Sequence, residues 1–101
     1  MFDPYHAQKS LDVGTFYMKT GRYDAAIDRF QEAARYQPSL AAPWKLLGEV
    51  YEKQHAYALA SESYKKYLDV FPTAPDSAKI MKQISALDEK AGKDSSKEST
   101  H

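Results

Sequence analysis

Apolar and small residues recur at helical spacing in five stretches of the chain, with turn-forming residues between them. Ser10, Val13, Gly14 and Tyr17, with Phe16 beside them, form the stripe of a helix expected from about Ala7 to Thr20, after a turn-like lead-in that holds Asp3 and Pro4. Gly21 closes it as a left-handed cap. Tyr23, Ala26, Ile27, Phe30, Ala33 and Ala34 give a second stripe that continues to Pro38. Trp44, Leu47, Gly48 and Tyr51 mark a third helix over about Leu40 to Gln54. Ser39 is its expected N-cap, and Pro43 sits in the first turn, where amides have no intrahelical partner. It breaks around His55. Tyr57, Ala60, Tyr64, Tyr67 and Leu68 carry a fourth, ending at Phe71 and Pro72. Thr73 and Asp76 read as a capping-box variant around Pro75, opening a fifth helix striped by Ile80, Met81, Ile84, Leu87 and Ala91.

The stripes are related by translation. Gly14 and Gly48, Tyr17 and Tyr51, Tyr23 and Tyr57, Ala26 and Ala60, and Pro38 and Pro72 are each separated by 34 residues, a period that indicates a solenoid of helical pairs. Glycine in mid-helix costs roughly 1 kcal/mol relative to alanine, so Gly14 and Gly48 imply close packing. The expected close approach is to the helices that carry Ala26 and Ala60.

The residues in register, Gly14, Tyr17, Tyr23, Ala26, Phe30 and Pro38, then Trp44, Leu47, Gly48, Tyr51, Tyr57, Ala60, Tyr64 and Pro72, run in an order that resembles the tetratricopeptide repeat. The resemblance implies an all-α helical-repeat solenoid of antiparallel helix pairs. Residues 1–6 are then a lead-in, 7–40 and 41–74 two repeats, 75–91 a capping helix and 92–101 a polar tail expected to be disordered. Lys82 stands where Gly14 and Gly48 stand in the repeats, which suits an end unit that shows a polar face to water. His55 replaces Gly21 at the turn, and Tyr67 replaces the small Ala33.

With 43% hydrophobic residues the chain can bury a core, and 14 basic against 14 acidic residues leave no net field to draw it toward nucleic acid or an anionic membrane. No cysteine is present, so there is no disulfide, thiolate nucleophile or Cys-based metal site. His6, His55 and His101 are too far apart to make a local metal motif. The glycines never cluster into a phosphate-cradling loop, and Ser10, Ser61 and Ser63 lack a nucleophile-elbow context. No catalytic constellation, metal site or cofactor is expected, which leaves binding as the function class.

In tetratricopeptide arrays the first helix of each pair lines a concave groove that takes a peptide or a partner's helix, and the resemblance implies the same use here. If the stripe through Val13 and Tyr17 is committed to packing, the neighbouring face presents Leu11, Thr15, Met18 and Lys19, with Gln8. Its equivalents are Lys45, Glu49, Glu52 and Lys53 in the second repeat, and Lys79 and Gln83, with Asp76, in the capping helix. Leu11, Thr15 and Glu49 replace the clamp by which the family's chaperone-binding members hold a terminal carboxylate, so an amphipathic segment with one apolar anchor is expected instead.

The alternative is self-association or assembly in a bacterial cell-envelope or secretion complex, with a homo-oligomer formed through the uncapped N-terminal helix. The stretch DVGTFYMKTGRYDAAIDRFQEAARYQP resembles bacterial members of the family, envelope lipoproteins among them, although those need an N-terminal cysteine for their lipid. The cytoplasm is the default location, and a periplasmic or outer-membrane association would follow from a longer precursor. Membrane insertion and nucleic-acid binding are not expected.

Overall fold

The N-terminus shows how local chemistry sets a helix boundary. Asp3 Oδ1 accepts the His6 amide at 3.1 Å, and Pro4 takes the first helical position, where its missing N–H costs nothing. Helix α1 (Pro4–Lys19) therefore starts earlier than the Ala7 expected after a turn-like lead-in. The Asp3 amide also donates to the Tyr36 carbonyl at 2.7 Å, tying the lead-in to the end of the next helix.

The computed structural model describes residues 2–99, with side chains described as far as Lys93. Four more helices follow: α2 (Tyr23–Tyr36), α3 (Ala42–Lys53), α4 (Tyr57–Val70) and α5 (Ser77–Ser99). There is no strand among the described residues. Each helix packs on its neighbour in sequence, and α1 also touches α3. The short connections make these neighbours antiparallel, so the fold is an all-α repeat of helix pairs.

The two intra-repeat turns are built alike although their residues differ. After α1 the Gly21 amide donates to the Met18 carbonyl and the Arg22 amide to the Tyr17 carbonyl; after α3 the His55 amide donates to Glu52 and the Ala56 amide to Tyr51. This paired bonding requires a left-handed residue, which Gly21 supplies at φ 79° and His55 supplies at φ 59°.

Both close-packed glycines meet a ring. A Cβ at Gly14 would lie 2.6 Å from Phe30 Cε1, and one at Gly48 would lie 2.5 Å from Tyr64 Cε1. Close packing is thus confirmed, but the crowding group is the aromatic residue one turn beyond Ala26 and Ala60. Those two alanines are fully buried beside it.

The core has two parts. Ala26, Phe30, Leu47 and Val50 form one, while Ala60, Tyr64, Tyr67, Ala74, Ile80 and Leu87 form the other. Trp44 and Tyr51 pack against both, which makes α3 the joint of the array.

Several expected boundaries and faces differ. Pro38 and Ser39 lie in a turn closed by Leu40 N–H on the Gln37 carbonyl, so α3 begins at Ala42, and Ala41 rather than Ser39 precedes it, without a side-chain cap. Two successive turns, closed at Ala74 and Ser77, likewise carry the chain past Thr73 before α5 starts. No proline follows Gly92, and α5 continues to Ser99 instead of ending at Ala91. Residues 100 and 101 of the expected tail, and Met1 of the lead-in, lie outside the described residues. Val13 is exposed at 38% and Met81 at 55%, so neither is committed to packing as its stripe implied; Ala7, not Val13, completes the buried face of α1 with Ser10 and Gly14.

Candidate functional site

On α3 the residues Lys45, Glu49, Glu52 and Lys53 follow at intervals of four, three and one, which places them along one face. Facing them across a cavity of about 570 Å³ are Asp76, Lys79, Ile80 and Gln83, with Tyr64 of α4 beneath. Seven of the twelve residues expected on the groove face therefore converge on one concavity. Its size is that of an ordinary ligand pocket.

The other five do not reach it, and Gln8 spends its side-chain amide on Asp12 at 2.9 Å. Leu11 and Met18 are half-buried against the Ala26, Phe30, Leu47 and Val50 cluster, so they hold α1 in place. Thr15 turns its hydroxyl back onto the Leu11 carbonyl at 2.8 Å, and Lys19 is exposed in the last turn of α1.

Two side-chain networks set the electrostatics of the cavity. Lys45 Nζ lies 2.6 Å from Asp76 Oδ2, while the Tyr67 hydroxyl donates to Asp76 Oδ1 at 2.8 Å. The Lys45 hydrogen bond, then that of Tyr67, holds the Asp76 carboxyl below the usual aspartate value; the same pairing raises Lys45. Burial, then the Asp76 hydrogen bond, pushes the Tyr67 hydroxyl up.

The second network centres on Glu52, which accepts the Tyr64 hydroxyl at 2.5 Å and the Gln83 amide at 3.5 Å. The latter is at the outer limit of a hydrogen bond. Burial is the main reason Tyr64 is raised, and its bond to Glu52 adds to the effect.

Lys45 and Glu52 are thus occupied within the chain. Glu49, Lys53 and Lys79 make no ion pair among the described residues, and they are the groups that face the cavity unengaged. Tyr64 and Ile80 belong to the cavity too, although their sequence signal was architectural: one stands in the repeat signature, the other in the apolar stripe of α5. Among the described residues no three His, Asp or Glu side chains come close enough to hold a metal ion. Nor is any helix there long and apolar enough to cross a membrane.

A family model described as TPR repeat matches residues 14–55, from the first packed glycine to the second left-handed turn. The chain is also 31% identical over 62 residues to the tetratricopeptide repeat domain-containing protein PYG7, chloroplastic, of Arabidopsis thaliana. That match covers 61% of this chain and 21% of the relative, so it spans about a fifth of the plant protein's length.

Proposed function

The chain belongs to the tetratricopeptide repeat family, and we propose that the cavity between α3 and α5 holds a polar segment of a partner protein. Tetratricopeptide repeats are generally protein–protein interaction modules, and the family is typically noncatalytic. The convergence of seven groove-face residues on one cavity carries the proposal.

The free charges define the partner. Lys53 and Lys79 suit an acidic side chain, and Glu49 a basic one, so a segment with both signs is fixed in register. Its apolar anchor cannot be supplied by Leu11 and Met18, which are engaged in packing. Ile80 is 1% exposed and offers little more. Specificity then rests on charge and on the shape of the Tyr64 floor.

The test uses a peptide selected from a random displayed library against the intact chain. Its binding should shift backbone amides on α3 and α5. The pair Glu49→Lys with Lys79→Glu should weaken it by about tenfold or more, a change of roughly 1.4 kcal/mol, at an unchanged melting temperature. Shifts confined to α1 and α2, or full affinity in the double variant, would remove the cavity as the site.

A further inference from the structure

The first helix of each pair offers one face to the helix before it. On α3 that face includes Pro43, which is buried, and Leu46 and Val50, which pack with Ala26 and Phe30 of α2. On α5 the positions 34 residues further on are Ser77, Ile80 and Ile84, of which the two isoleucines pack against α4. The corresponding residues of α1 are Lys9, Asp12 and Phe16, and with Tyr5 they form a single stripe at intervals of four, three and four. Among the described residues no helix lies on it: Tyr5 is 67% and Phe16 60% exposed, and Lys9 and Asp12 are exposed as well.

From this stripe we infer that α1 pairs with α1 of a second copy of the chain in an antiparallel, two-fold arrangement. The order along α1 is aromatic, cation, anion, aromatic, and its spacing is symmetric: 5 and 16 have the same mean as 9 and 12. A two-fold axis at that midpoint sets Tyr5 opposite Phe16 of the second copy, and Lys9 opposite its Asp12. The aromatic contact and the ion pair then each form twice, as an isologous interface requires.

Charge selects this occupant over another repeat. A preceding helix of the kind that covers α3 would have to cover Lys9 and Asp12, where α3 presents Pro43 and Leu46. The second copy instead brings the opposite charge to each. Within one chain the two groups have only local contacts: Lys9 Nζ lies 5.6 Å from the Tyr5 ring centre, and Asp12 accepts the Gln8 amide at 2.9 Å. A single helical stripe buries less than the roughly 800 Å² per partner of a standard interface, so the dimer is a weak one. It lies on α1, outside the α3–α5 cavity, and does not depend on the groove proposal: a monomer that binds peptide, or a dimer that does not, separates the two.

Sedimentation velocity of the whole chain from about 10 µM to about 1 mM should show a monomer passing into a dimer. Phe16→Glu should weaken association at least tenfold. Lys9→Asp and Asp12→Lys should each weaken it, by setting like charges opposite each other, and the double variant should return to within about threefold of the parent. Thermal melts followed by circular dichroism confirm that these exposed substitutions leave the fold intact. A strict monomer, an assembly larger than a dimer, association indifferent to Phe16→Glu, or a double variant no better than the singles would each overturn the inference.

Discussion

The Tyr64 hydroxyl, carried on the second helix of its repeat, donates to Glu52 Oε1 on the first at 2.5 Å. The same ring lies against Gly48, so one side chain sets the spacing of α3 and α4 and fixes a carboxylate at the wall of the cavity. Packing and site are thus coupled through one residue.

Removing that hydroxyl should leave the packing and lose the bond. Phe30 occupies the equivalent place in the first repeat, so Tyr64→Phe keeps a ring the fold already accepts. The expected cost is about 1 to 3 kcal/mol, as for a hydrogen bond to a charged group. The alkaline behaviour should change as well. The folded state holds the Tyr64 proton far above the ordinary tyrosine value of 10.0, so its contribution is complete below that pH and is lost as pH rises beyond it. Urea melts between pH 8 and about pH 11 should show a shallower decline in the variant than in the parent. Parallel declines would deny Tyr64 this role.

Gly48→Ala should destabilise although alanine is the better helix former. The added Cβ would stand 2.5 Å from a ring that is 1% exposed and has nowhere to retreat. Overpacking of this kind costs about 1 to 3 kcal/mol, against a propensity gain of about 1. Chemical denaturation should show a lower midpoint. Adding Tyr64→Leu should recover part of it relative to Tyr64→Leu alone, since the clash then disappears; simple additivity of the two losses would locate the strain elsewhere.

How far the chain could be read varies with the range of the interaction. Helix count, pairing and the two packed glycines were legible because a 34-residue translation repeats the same short-range requirements. The caps were not: Ser39 and Thr73 have suitable side chains, but successive turns consume those residues before the helices begin. Val13 and Met81 fit an apolar period and still face outward, because the width of a buried stripe depends on which helix covers it. The Lys45–Asp76 pair joins residues 31 apart through the array, and no local pattern announces it. Candidate groove residues on α3 and α5 converged because both helices have the same register. Leu11 and Met18 did not join them, since α3 leans on that part of α1.

His55→Gly should stabilise the chain. His55 holds φ 59° at a turn where the first repeat uses Gly21, and a residue with a Cβ is strained there by roughly 1 kcal/mol. Glycine also gives up the stacking of His55 on Tyr57 and gains freedom when unfolded, which offsets part of the benefit. A net gain of about 0.5 kcal/mol, a few degrees in a thermal melt, is expected. A lower melting temperature would mean that the stack outweighs the backbone strain.

Acid should weaken the join between α3 and α5 through Asp76. Lys45 and Tyr67 both stabilise its ionised form, so its folded value lies below the ordinary 3.8. For a depressed carboxylate the stabilisation is present above the unfolded value and disappears as pH falls through the folded one. Asp76→Asn cannot ionise and lacks that dependence. The melting temperatures of parent and variant should therefore differ most near neutral pH and converge between about pH 4 and pH 2. Glu32 and Asp88 are also depressed, by bonds from Ser10 and Ser61, but both proteins share them, so the difference between the two curves isolates Asp76. Lys45→Met should reproduce most of the same gap, because it leaves the carboxylate without its cation. A gap that stays constant from pH 7 to pH 2 would show that Asp76 acts at this junction by shape alone.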